Sequence, residues 1–274
     1  MTKKLGILAG GGDLPGRVIE ACKRRGRPFH VIAIEGHADP AVICETPHTW
    51  LRLGAAQKAL EIARREDFGD IVMVGPVKRP SIAALRPDML ATKVLARAAA
   101  SSVMGDDGLL KAVIGQIEEL GFTVVGPDLF LESSAEVRGV IGSQKPDKLA
   151  TSDINRGAQV LFHLGPADVG QGVIVQDNIV IAVEAVEGTD AMIKRSKELL
   201  REGPGGILIK LPKPGQETRA DLPTVGPTTI EHMKRVGLRG LAIDSKNTLV
   251  VDREEMIRSA DEAGIFIIAL DPAA

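Results

Sequence analysis

The pattern of apolar and polar positions changes character near the middle of the chain. In the first half, short apolar runs alternate with stretches of helical spacing. Leu5 to Ala9 is an apolar run closed by glycines. Leu14 to Arg25 follows, with Leu14, Val18, Ile19 and Cys22 on one helical face. Phe29 to Ile34 reads as a second strand, Ala55 to Arg65 as a helix and Ile71 to Val74 as a third strand. Asp107 to Leu120 places Leu110, Val113, Ile114 and Ile117 at helical spacing, and Phe122 to Val125 reads as the next strand. Such alternation predicts a parallel sheet covered by helices.

Residues 139–150 have the composition of a linker. Thr151 to Phe162 then reads as a helix capped by Ser152 or Asp153. Val173 to Val175 and Ile179 to Val186 predict a hairpin around Gln176-Asp177-Asn178. Ala191 to Leu200 and Thr228 to Arg235 read as helices, and Ile207 to Leu211 as a strand. A second hairpin is expected from Leu241–Ile243 and Leu249–Val251, turning at Lys246-Asn247. Arg253 to Ala263 and Ile265 to Leu270 close the chain as helix and strand. The expected fold class is α/β. An N-terminal domain with a parallel sheet spans 1–138, the linker spans 139–150, and a mixed α/β domain spans 151–274.

Composition narrows the function. A length of 274 residues suits one large domain or two ordinary ones. A formal net charge of −2 argues against general nucleic-acid binding. With no Tyr and Trp50 as the single Trp, base stacking is not the main recognition device. Cys22 and Cys44 match no Cys-x-x-Cys motif and read as reduced thiols in or near a core. His30, His37, His48, His163 and His232 are scattered, so zinc is not expected, while a hard-cation site of oxygen ligands stays open. No apolar run approaches the ~20 residues of a spanning helix, and the N-terminal one is too short for a signal-peptide core. These features point to the cytoplasm, with peripheral membrane contact still open.

Candidate chemistry in the first half lies in three loops. Gly10-Gly11-Gly12-Asp13 follows a strand and opens a helix, as a turn binding phosphate or ribose does. Pro15 stands where a dinucleotide fingerprint has its third glycine, so a plain strand-to-helix turn with Pro in the first helical turn is the alternative. Lys78 and Arg79 follow the third strand, where ligands of open α/β sheets gather. Asp106 and Asp107 either cap a helix or face a metal or sugar hydroxyl.

The second half carries carboxylates inside apolar runs. Alternation sets Glu184 on one face with Val180, Ala182 and Val186. Lys210 interrupts Ile207-Leu208-Ile209 in the same way. Either the two form a buried pair between neighbouring strands, or Glu184 is a metal ligand beside a phosphate-binding lysine. Gly188-Thr189-Asp190 opens a helix whose free N–H groups favour an anion. In the proline-rich loop from Pro212 to Pro223, Lys213 and Arg219 suit phosphate oxygens, and Asp221 suits a metal or an oriented water. Residues 89–104, small and apolar, either face a core or line a groove for a lipid.

Several of these segments together resemble a known family, the UDP-2,3-diacylglucosamine pyrophosphatases of the LpxI type, which act in lipid A synthesis. The matching segments are Gly6–Pro15, Gly105–Asp107, Asp168–Val175, Val183–Met192, Lys213–Gly226 and Val250–Arg253. They span nearly the whole chain in the family's order. The resemblance implies a Rossmann-like N-terminal domain and an α/β C-terminal domain. It implies hydrolysis of UDP-2,3-diacylglucosamine to UMP and 2,3-diacylglucosamine 1-phosphate with Mg²⁺ or Mn²⁺. It also implies a homodimer, with or without exchanged domains, and is compatible with peripheral contact at the inner membrane. By position, Asp221 corresponds to the family's essential acidic residue.

For this chemistry the expected catalytic residues are Asp221, Lys213 and Arg219, and the expected metal ligands Asp221, Glu184 and Asp190. The expected substrate contacts are Gly10, Gly11, Gly12, Asp13, Lys78, Arg79, Asp106, Asp107, Gln171, Thr189, Lys210 and Gln216. Water attack on a pyrophosphate builds charge on phosphoryl oxygens, which asks for cations and a positioned water rather than a covalent nucleophile. Two rivals remain. One is an NAD(P)-dependent oxidoreductase, disfavoured by the broken glycine fingerprint and the lack of Tyr. The other is a nucleotide-sugar sensor without catalysis, in which the second-half carboxylates are structural.

Overall fold

A computed structural model describes residues 3–78, 81–100, 106–131 and 138–271. The chain divides into two compact units. The first is Met1–Glu132 together with Glu217–Asp221, and the second is Ser133–Gln216 together with Leu222–Ala274.

The first unit runs β1 (Lys4–Ala9), α1 (Leu14–Arg24), β2 (Phe29–Ile34), the short α2 (Pro40–Ile43), β3 (His48–Leu51), α3 (Ala56–Arg65) and β4 (Phe68–Val74). It continues with the short α4 (Ile82–Leu85), α5 (Met89–Ala100), α6 (Asp106–Glu119) and β5 (Thr123–Val125). All strands are parallel, in the order β3-β2-β1-β4-β5. This is the doubly wound order, with the reversal between β1 and β4. Val18, Ile19, Ala21 and Cys22 of α1 pack with Leu5, Ile7, Val31 and Val72 in one core, and Ile32, Leu51, Ile62 and Ile71 form another. β3 is the strand that periodicity misses: His-Thr-Trp-Leu is too short and too polar to stand out, and only its pairing with β2 makes it one.

The second unit contains β6 (Gly139–Ile141), α7 (Lys148–Leu164), β7 (Gly172–Gln176), β8 (Ile179–Val183), α8 (Thr189–Ser196) and β9 (Ile207–Lys210). After these come β10 (Thr224–Val225), α9 (Pro227–Val236), β11 (Gly240–Asp244), β12 (Leu249–Val250), α10 (Arg253–Ala263) and β13 (Phe266–Leu270). The sheet order is β6-β13-β11-β9-β7-β8. β9, β11 and β13 are parallel, while β6, β7 and β8 each run antiparallel to a neighbour.

Three expectations change. Of residues 139–150, read as linker, Gly139–Ile141 form the edge strand against β13, and α7 already begins at Lys148. Asp147, not Ser152 or Asp153, caps α7, its carboxylate accepting from Ala150 N at 2.7 Å. The second hairpin does not form. β11 belongs to the large sheet, whereas β12 pairs in parallel with β10. The reason is Asp244, whose Oδ1 accepts from Lys246 N at 2.8 Å and Asn247 N at 2.7 Å and turns the chain out of the sheet. No helix among the described residues is long and apolar enough to cross a membrane.

The β7–β8 hairpin does form, with Gln176 opposite Ile179. Asp177 and Asn178 both take positive φ, the signature of a two-residue primed turn. Asp153 of α7 is 1% exposed, and its carboxylate accepts from Asp177 N at 3.2 Å and Asn178 N at 2.6 Å. Hydrogen bonds to a charged group contribute about 1.5–3 kcal/mol. Asp153→Ala is therefore expected to lower unfolding stability by about that amount, read from urea unfolding; unchanged stability would remove the carboxylate as the anchor of this turn.

Candidate functional site

In the first unit, the glycine turn lies at the reversal between β1 and β4. Gly10 N donates to Val74 O at 2.8 Å and Gly11 N to Pro76 O at 2.9 Å. A Cβ on Gly10 would stand 2.4 Å from Gly75 O and 2.7 Å from Pro76 O. Close approach of two backbones therefore requires this glycine, whatever else the turn does. Gly12 takes φ +71°. Asp13 is exposed at the start of α1 and makes no side-chain cap. Lys78 is exposed, and its carbonyl lies 3.2 Å from His37 Nε2. Arg79 lies outside the described residues, as does the side chain of Asp106, which begins α6.

Asp107, 9% exposed, has a structural partner in the proline-rich loop: its Oδ1 accepts from Glu217 N at 2.9 Å. Its other oxygen lies 2.7 Å from Lys111 Nζ one turn along α6. Arg219 is clasped by carboxylates. Its Nε and Nη2 reach the two oxygens of Glu217 at 2.9 and 2.8 Å, and its Nη1 pairs with Glu118 of α6. The Arg219 guanidinium holds the Glu217 carboxyl below the usual glutamate range, and Glu217 and Glu118 hold Arg219 firmly protonated. Ala220 N and Asp221 N turn back onto Glu217 O at 3.4 and 3.1 Å, which places Asp221, half-buried, at the end of this clamped segment.

In the second unit, the candidates gather where β7, β8 and β9 meet. Gly172 is the hub. It faces Lys210 across β9, and its carbonyl accepts from Glu184 N at 2.8 Å. β7 thus lies between the strand of Lys210 and the strand that leads into Glu184. Lys210, 7% exposed, donates from Nζ to Thr224 O at 2.9 Å. Glu184, also 7% exposed, accepts at Oε1 from Thr189 Oγ1 at 2.9 Å, and its buried Oε2 has no hydrogen-bond partner. A Cβ on Gly172 would stand 2.5 Å from that oxygen. Lys213 Nζ pairs with Asp168, with side chains 12% and 8% exposed. Gln216 accepts at Oε1 from Lys213 N at 2.7 Å, and its amide reaches Gln171 Oε1 at 3.0 Å.

Asp190 turns away from this cluster. Its side chain is 67% exposed and lies 3.1 Å from His232 Nδ1, at an angle that makes no hydrogen bond. Among the described residues, no three His, Cys, Asp or Glu side chains form a group that could hold a metal. Glu184, with an orphan buried oxygen, fits the role of a single carboxylate anchor; Asp190 and Glu184 do not form a preassembled pair.

The two halves match two family models in sequence order: residues 4–134 match the LpxI N-terminal domain and residues 137–268 the LpxI C-terminal domain. A protein of Caulobacter vibrioides named UDP-2,3-diacylglucosamine pyrophosphatase LpxI is 38% identical over 276 residues, covering 98% of each chain. The chain belongs to the LpxI family. Within this LpxI chain, the residues that sequence reasoning passed over are the partners: Asp168 for Lys213, Glu217 and Glu118 for Arg219, and Gly172 for Glu184. Asp168 sits in a segment already singled out, but a partner 45 positions away leaves no local signal.

The Glu217–Arg219 pair gives a pH expectation. The folded Glu217 titrates below its unfolded value, so its contribution is present above the ordinary glutamate range and is lost as pH falls through the lowered folded value. Protection of the amides of residues 217–221, taken as the observed exchange rate against the intrinsic rate at each pH, should be high at neutral pH and fall below that range. In Glu217→Gln protection should be low at every pH; high protection in that variant would show that the carboxylate does not clamp the loop.

Proposed function

We propose that this chain hydrolyses the pyrophosphate of UDP-2,3-diacylglucosamine, giving UMP and 2,3-diacylglucosamine 1-phosphate. The observation that carries this reading is the 38% identity, over 98% of both chains, to a relative named for that substrate. The residues present suit the chemistry. Lys213 and Arg219 are cations of the kind that neutralise charge developing on phosphoryl oxygens. Each is held in place by carboxylates, Lys213 by Asp168 and Arg219 by Glu217 and Glu118. Preplaced charges need no reorganisation as the reaction proceeds. Asp221 is the group assigned to orient the attacking water and accept its proton. Gln171, Gln216, Thr189 and Lys210 supply donors and acceptors for the sugar phosphate, and the glycine turn with Asp13 and Lys78 is assigned to the nucleotide side.

A divalent ion, Mg²⁺ or Mn²⁺, would neutralise phosphate charge. Mg²⁺ commonly binds through one or two carboxylates plus substrate phosphates rather than a protein cage. Glu184 is the residue here that would hold it. Apo protein is accordingly expected to bind Mg²⁺ weakly by calorimetry, with Glu184→Gln weakening it further. Tight binding by the free protein would point to a complete set of protein ligands instead.

The reading is tested by incubating the pure protein with UDP-2,3-diacylglucosamine and following UMP. Asp221→Ala is expected to lose at least 10³-fold in kcat, in the range of a general acid–base group, with an unchanged circular dichroism spectrum. A fully active Asp221→Ala would refute the role of Asp221, and no UMP from the wild type would refute the activity.

A further inference from the structure

β1 ends in the glycine turn, and its two neighbours in the sheet, β2 and β4, end in loops on either side of it. Gly11 is packed between those loops. Its N–H donates to Pro76 O at 2.9 Å, and a Cβ on it would stand 3.1 Å from His37 O and 3.5 Å from Pro76 O. The loop after β2 is anchored to the sheet: Glu35 N donates to Leu51 O at 2.9 Å and His37 N to Ile34 O at 3.1 Å. From that base the half-buried His37 ring reaches across. Its Nδ1 lies 3.1 Å from Glu35 O and its Nε2 3.2 Å from Lys78 O. One side chain links the two loops that flank the turn.

The chemistry of these two contacts is restrictive. A carbonyl oxygen accepts and cannot donate, so each ring nitrogen must bring the hydrogen. Neutral imidazole carries one N–H, and only the imidazolium carries two. Both bonds therefore exist together only on the charged ring. When the ring loses a proton, a nitrogen lone pair faces a carbonyl lone pair. The side chain then gives up either its anchor at Glu35 or its reach to Lys78.

The charged side chains on the elements that meet here are Glu35 and Asp39 near the ring in sequence, Arg52 after β3, Asp13 at the start of α1 and Lys78 itself, all exposed. Asp39 accepts from Ala41 N at 2.9 Å, and Arg52 Nη1 donates to Leu85 O at 3.0 Å and Arg86 O at 2.6 Å. Solvent screens exposed charges, and the two carbonyls are the groups in direct contact with the ring nitrogens.

We propose that His37 is a positioning residue for the nucleotide side of the site: its doubly protonated ring latches the loop carrying Lys78 across the glycine turn, and deprotonation releases that loop. This rests on the pyrophosphatase reading, which assigns the turn and Lys78 to the nucleotide. A loop already held in its bound position loses less freedom when a ligand arrives. Substrate affinity therefore rises as the ring takes up its second proton, and the effect falls on KM rather than kcat.

Two measurements test this. In protein with ¹⁵N-labelled histidine, the wild-type His37 ring should carry two N–H protons and show nuclear Overhauser contacts to Lys78 at the acid end of the imidazole range, about pH 5 to 8. At the alkaline end it should carry one, and those contacts should be lost. Contacts that persist unchanged across the range, or are absent throughout it, overturn the proposal. This arm needs no substrate, no turnover and no variant. In the second arm, KM and kcat for UDP-2,3-diacylglucosamine, whose pyrophosphate does not titrate there, are followed over the same range. His37→Phe should keep the wild-type alkaline KM throughout, so its KM exceeds the wild type's by about fivefold or more at the acid end. Its kcat should match the wild type's at each pH. A variant of wild-type Tm whose KM equals the wild type's at every pH overturns the proposal, as does a difference carried wholly by kcat. A ring that latches in a wild-type protein releasing no UMP would support the latch and refute the pyrophosphatase reading.

Discussion

The bond from Glu217 N to the buried carboxylate of Asp107 is the contact on which the candidate chemistry depends. It takes a short stretch of a proline-rich loop and makes it part of the first unit. A buried carboxylate is costly unless donors compensate it, and Asp107 is answered both by that N–H and by Lys111. Once the loop is seated there, Arg219 meets Glu118 on the same helix, and the turn that follows delivers Asp221. Helix α6 thus acts as a rail, its polar positions holding the loop.

Arg219 and Lys213, the two cations suited to phosphate, are both already engaged by carboxylates. Such pairs contribute modestly to stability when exposed and little net when buried, because desolvation offsets attraction. Their value lies in placement. A guanidinium held bidentately by Glu217 has few orientations left, so little freedom is lost when it meets an oxyanion. Under the proposed reading, an incoming anion would compete with Glu118 for this guanidinium.

Much of this was legible in the sequence, for reasons that can be named. The parallel sheet of the first unit follows from strand–helix alternation, since its strands are short apolar runs buried on both faces and its helices bury one stripe. The β7–β8 hairpin follows from Asp177-Asn178, residues that tolerate positive φ. The anomalies at Glu184 and Lys210 were real, as both are buried. What failed depended on partners distant in sequence. The expected hairpin between β11 and β12 was lost to a local competitor, the Asp244 side chain, which offers the backbone an alternative turn. The edge strand β6 looked like a linker because three residues of strand carry no period, and only β13 defines them. Asp190 was grouped with Glu184 from adjacency, yet a helix start turns the two side chains to different partners.

The glycines show how one signal can carry two meanings. Gly10 belongs to a motif that reads as a phosphate-binding turn, yet packing alone demands it, because any Cβ would strike the backbone after β4. That glycine is therefore no evidence for a ligand. Gly172 points the other way. It falls inside the segment 168–175, in a strand where larger residues pack better. A side chain there would collide with the Glu184 carboxylate. The strand gives up a core contact so that a carboxylate with an unanswered oxygen can lie over its backbone. A fold selected for stability alone gains nothing from that exchange, because an orphan buried oxygen costs free energy. The exchange makes sense if something arrives to satisfy the oxygen. Gly172 and Glu184, more than the glycine-rich turn, are where the second unit's structure departs from what packing requires.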